Sequence, residues 1–106
     1  MNIGVIVLTG GNIRNNHLYL SEIMDLFPID AVGGSNEEAR APRLLEIHCG
    51  IGEPIITDIA GDKKIFRRRA WVAEFLQVHH LTEGDKVIIE KTGPSRYHVY
   101  PGRSVT

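Results

Sequence analysis

At 106 residues and 42% hydrophobic content, the chain is long enough for one core and too short for two. A charged fraction of 24% excludes a disordered composition, and the single cysteine, Cys49, excludes an internal disulfide framework. The net charge of −1 excludes a uniformly basic, polyanion-coating protein, so any charge-driven recognition must come from local clustering.

Taken in chain order, residues 3–8 are rich in Val and Ile and read as a buried strand. The run is too short to cross a bilayer and lacks a basic leader, so the expectation is a cytoplasmic protein with no membrane contact. Thr9-Gly10-Gly11-Asn12 carries turn chemistry, and residues 17–20 alternate polar and apolar like a short strand. Ser21 can cap a short helix through Leu26, with Ile23, Leu26 and Phe27 facing the core, and Pro28 stops it. Residues 31–42 have no apolar periodicity and read as an exposed loop.

Residues 43–49 predict a strand with Leu45 and Ile47 on one face, and residues 55–59 predict another. Ala60-Gly61-Asp62 reads as a tight turn into a strand over residues 63–68. The clearest helix spans residues 70–79, with Trp71, Val72, Phe75, Leu76 and His79 on one side. Gly84 suits a turn that needs positive φ, and Asp85 can accept nearby N–H bonds. Residues 86–91 and 96–100 form a hairpin, and residues 101–106 a frayed tail. The sum is a single domain over residues 1–106, mainly β with two short helices. The architecture that fits is a seven-stranded open pseudobarrel whose helices cap its ends.

Two segments carry candidate chemistry. Lys63, Lys64, Arg67, Arg68 and Arg69 place five of the twelve Lys and Arg residues within seven positions, whereas nine of the thirteen acids precede them. Three consecutive arginines cannot all be buried unpaired, and the planar guanidinium suits bidentate contact with phosphate or guanine. The plain alternative is a solvated face with ion pairs to Glu74 or Glu83. The second segment is Gly10-Gly11-Asn12-Ile13-Arg14-Asn15-Asn16-His17. Its Asn side chains can pair with adenine and its Arg with guanine or phosphate, although Asn and Gly also simply tolerate turns.

No metal spacing links His17, His48, His79, His80, His98 and Cys49, and the reading is of a domain without metal or cofactor. Thr57-Asp58-Ile59 with Asp62-Lys63-Lys64 only faintly resembles a magnesium-dependent nuclease pattern, and no nucleophile elbow or phosphate-cradling loop is present.

The order of HLYLSEIMDLFP, a variable loop, a strand pair, a basic hairpin and AWVAEFLQVHHLTEGDKVIIEK resembles the B3-like DNA-binding pseudobarrel. That domain occurs in plant transcription factors and in the effector-binding domain of EcoRII-type restriction endonucleases. The resemblance covers residues 7–101. It implies a non-catalytic, sequence-preferring double-stranded DNA-binding domain associated with restriction and modification, working beside a nuclease or methyltransferase partner. Two loop arms would enter the major groove: residues 11–17 with Arg14, Asn15, Asn16 and His17, and residues 62–69 with Lys63, Lys64, Arg67, Arg68 and Arg69. Residues 33–41 fit neither arm. LTEGDKVIIE also resembles an AbrB-type swapped-hairpin regulator. A protein-interaction or ligand-binding accessory domain and a small nuclease complete the alternatives.

Overall fold

Strand β1 (Ile3–Val7) alternates exposed and buried residues, as a strand covering one side of a core must. In the computed structural model, which describes residues 2–102, it forms one edge of an antiparallel and parallel mixed sheet. The order is β1, β7 (Lys86–Lys91), β8 (Arg96–Pro101), β3 (Leu45–His48) and β4 (Ile55–Thr57). A second sheet has the order β2 (Val32–Gly33), β5 (Ile59–Ala60) and β6 (Ile65–Phe66). The fold is mainly β with two helices, as expected, and its strands form a five-stranded and a three-stranded sheet that do not close into one ring.

The break between the sheets lies at Asp58. Residues 55–59, expected as one strand, divide there: β4 pairs with β3 and β5 pairs with β6. Side chains from both sheets meet in one core. Leu45 and Ile47 are fully buried on the same face of β3, as the alternation predicts. The ring of Phe27 packs edge-on to Phe66 at 5.8 Å and tilted on Tyr97 at 4.9 Å. The buried Tyr97 hydroxyl donates to the Leu26 carbonyl at 2.9 Å, and burial pushes its pKa up to about 12.

Helix α2 (Ala70–Val78) buries Val72, Phe75 and Leu76 in this core. Beyond it Gly84 adopts φ +93, and the Asp85 carboxylate accepts from the Thr82 N–H at 2.8 Å, the turn chemistry read from the sequence. Residues 101 and 102, expected in a frayed tail, are held by the sheet. Pro101 pairs with Val87 in β8, and the Gly102 N–H donates to the Lys86 carbonyl at 2.8 Å. Residues 103–106 lie outside the described residues.

Four local expectations are corrected. Residues 10–15 form helix α1 (Gly10–Asn15) instead of a loop, because Thr9 and Asn12 make a reciprocal capping box. Residues 17–20 alternate in burial, with Leu18 and Leu20 inside, but belong to no strand. The helix expected from Ser21 shrinks to a 3₁₀ turn (Met24–Leu26), followed past Pro28 by another (Ile29–Ala31). The strand expected over residues 63–68 shrinks to β6, where Ile65 and Phe66 are equally buried.

Candidate nucleic-acid interface

The basic segment begins in the four-residue turn between β5 and β6. Lys64 closes it in the left-handed region, φ 55, and its N–H donates to the Ala60 carbonyl at 2.8 Å. Lys63 and Lys64 are exposed at the tip, beside Asp62. Past β6 the three arginines part company.

Arg67 is the one the fold absorbs. Its Nε donates to Asp58 Oδ1 at 2.7 Å and its Nη2 to Oδ2 at 3.0 Å, with side-chain exposures of only 10% and 3%. The same guanidinium donates to the Gly34 carbonyl at 2.8 Å and the Asn36 carbonyl at 2.9 Å. Asp58 also accepts the Ala41 N–H at 2.7 Å. Burial alone would raise the Asp58 pKa. The hydrogen bonds from Arg67 and Ala41 and the Arg67 charge outweigh it, and hold the carboxyl below its ordinary value. Arg67, expected among the nucleic-acid contacts and otherwise among solvated ion pairs, is instead a buried staple. It binds residues 33–41 to the β5–β6 hairpin. Asp58, the acid of the nuclease alternative, is the other half of that staple.

Arg68 and Arg69 remain exposed, and their backbone is fixed. The Arg68 N–H donates to Thr57 Oγ1 at 2.9 Å, the Trp71 indole N–H to the Arg68 carbonyl at 2.7 Å, and Arg69 Nη1 to the Arg67 carbonyl at 3.3 Å. Arg68 lines a cavity of about 420 Å³ with Arg40, Leu44 and Ile56, and Arg40 is paired there with Glu37 at 3.5 Å.

The amide-rich segment is organised by Asn12, 2% exposed. Its Oδ1 accepts the Thr9 N–H at 2.7 Å and its Nδ2 donates to the His17 carbonyl at 2.7 Å. Asn16 ends α1 in the left-handed region at φ 53, as Asn tolerates. Asn15 and Asn16 are exposed. Asn15 Nδ2 donates weakly to the Tyr19 hydroxyl at 3.5 Å, and His17 Nδ1 lies 3.3 Å from the same oxygen with the rings edge-on at 5.6 Å. Arg14 points elsewhere. A methyl on Gly10 would lie 3.0 Å from both Arg14 Nη1 and Glu83 Oε1, which places the guanidinium at the end of α1 opposite His17.

The two segments meet. The Leu20 N–H donates to the Lys64 carbonyl at 2.8 Å, tying the stretch after His17 to the basic turn. Burial lowers the His17 pKa, and the positive charges of Arg69 and Lys63 lower it further. His17, Tyr19 and Asn15 thus share a surface with Lys63 and Arg69. Arg14 and Arg67 do not join it, and Arg68 lies toward the Arg40 cavity. Tyr19 and Arg40 were missed as candidates. The alternation that puts Leu18 and Leu20 inside also puts His17 and Tyr19 outside, which is the signal for Tyr19. Nothing local marks Arg40.

Among the described residues, no three His, Cys, Asp or Glu side chains gather as a metal-binding group. No helix among the described residues is long and apolar enough to cross a membrane. In comparisons with known proteins, no family model matches the chain, and no curated protein or solved structure aligns with it significantly.

Proposed function

We propose that this domain binds double-stranded DNA, without chemistry of its own, through the surface that joins the basic turn to the segment around His17. One observation carries the reading: the Leu20 N–H donates to the Lys64 carbonyl at 2.8 Å, which joins the segment of His17 to the basic turn although more than forty residues separate them in the chain. Cations flanked by amide, imidazole and phenol groups offer both phosphate and base-edge contacts. In this reading Lys63, Lys64 and Arg69 hold phosphates and Asn15, Asn16 and His17 approach bases. Arg68 extends the contact on its own side, and Arg14 takes no part in it. Arg67 keeps the hairpin in shape. Cleavage or methylation would belong to a separate nuclease or methyltransferase, and the B3-like and restriction-associated relationship is part of the same proposal.

The test is duplex binding measured across salt concentrations. Replacing Lys63 and Arg69 together by Gln should weaken binding to every sequence and reduce the slope of log K against log salt by about 0.9 per lost phosphate contact. Arg43→Gln is the control, since Arg43 is engaged with Asp30 at 2.7 Å and with Ser95 at 3.2 Å and makes no hydrogen bond to residues 61–69. An unchanged slope in the double variant overturns the phosphate role. Failure of the unaltered protein to bind duplex even at low salt overturns the whole reading in favour of an acidic protein partner.

A further inference from the structure

The open edge of β1 is built unlike a protected one. In the ladder with β7 the Lys91 N–H donates to the Asn2 carbonyl at 2.7 Å and the Leu8 N–H to the Asp85 carbonyl at 2.8 Å. An antiparallel ladder alternates, so the even-numbered residues face β7, and the N–H and C=O groups of Ile3, Val5 and Val7 face outward. Those same residues place their side chains on the outer face of the sheet, 45%, 45% and 55% exposed. Natural edges are usually blunted by Lys, Pro or a bulge. The sequence IGVIV has none of these.

Beside this edge runs an open groove of about 340 Å³. Val5, Ile6 and Val7 form one wall, and Tyr19, Ser21 and Glu22 the other. The far wall is held close, because a methyl on Gly4 would lie 2.9 Å from Ile23 Cδ1. Among the described residues Glu22 is the sole charged one lining it. The geometry points to a β-augmentation site. An extended peptide segment docks along β1 as a sixth strand. Its alternate apolar side chains lie on Ile3, Val5 and Val7, and a basic side chain faces Glu22. Backbone pairing supplies the affinity, and Glu22 selects the cation. A second copy of this chain fits less well, since it would bring its own Tyr19–Glu22 wall, and its own acid, into the same groove. The inference is independent of the nucleic-acid reading.

The probe is the synthetic peptide acetyl-Lys-Val-Thr-Val-Thr-Val-amide, beside a version with Glu in place of Lys, titrated into the full chain and followed by amide NMR. Binding should shift the N–H signals of Ile3, Val5 and Val7 and slow their exchange. Val5→Pro, which removes an outward N–H, should weaken binding about tenfold. Glu22→Lys, at an exposed position that leaves the fold intact, should invert the preference between the two peptides, each by about fivefold. No binding, or an unchanged preference in Glu22→Lys, overturns the inference. So does protection of the three amides that rises with protein concentration in the absence of peptide, which would make the occupant a second copy.

Discussion

Asp58 and Arg67 form the interaction on which the candidate site most depends, though neither takes part in it. The pair is nearly dry, and removing one partner leaves the other charged and unsolvated. Arg67→Met is therefore expected to cost about 3–5 kcal/mol in urea unfolding, far more than loss of an exposed arginine such as Arg40. Asp58 has its folded-state pKa below the ordinary 3.8, so its contribution is complete above that value and is lost as pH falls through the lower folded one. The Arg67→Met variant should lack that part of the acid dependence. A window of adjacent residues does not reveal the pair; hairpin register does. Ile59 opposes Phe66, so the next pair outward is Asp58 with Arg67, whose N–H donates to the Asp58 carbonyl at 2.9 Å. Reading RRR as one cluster missed this, because three identical neighbours meet three different environments.

Elements with strong local signals were legible. Strand β1, strand β3 with Leu45 and Ile47 inward, helix α2 and the β7–β8 hairpin all follow from apolar spacing and turn residues. Helix α1 did not, because Gly10 and Gly11 are poor helix formers and three Asn residues suggest a turn. The capping box between Thr9 and Asn12 decides the matter, with Asn12 buried and bonded at both ends of the segment. Asn12→Ala should leave the Thr9 N–H and the His17 carbonyl without these bonds, at a cost of about 1–3 kcal/mol in thermal or urea unfolding. Under the proposed function it should also weaken duplex binding, because His17 loses its anchor. A variant that is destabilised but binds normally would show that α1 serves the fold alone. The strand at residues 17–20 failed for a different reason: alternation reports burial, and burial does not require a neighbouring strand.

At the scale of the molecule, the pairing of sheets was beyond the reach of the sequence, since the switch at Asp58 is a tertiary choice made by β3 on one side and β6 on the other. The convergence of the two candidate segments was equally non-local. It leads to a pH prediction. In the free protein burial and the charges of Arg69 and Lys63 hold the His17 pKa below its ordinary value, which favours the neutral imidazole. A bound phosphate favours the imidazolium and raises that value. Duplex affinity should therefore climb as pH drops through the interval between the bound and free values, and should be flat above it. His17→Gln should remove the climb, as binding measured between about pH 5 and 8 would show. Lys64 carries a last consequence. Its left-handed backbone is tied on both sides, N–H to Ala60 and carbonyl to Leu20, so the ammonium swings from a fixed pivot. Most of the ordering that a floppy basic arm would undergo on meeting its target has then already taken place during folding, and only the side chain's own rotors remain to be stilled.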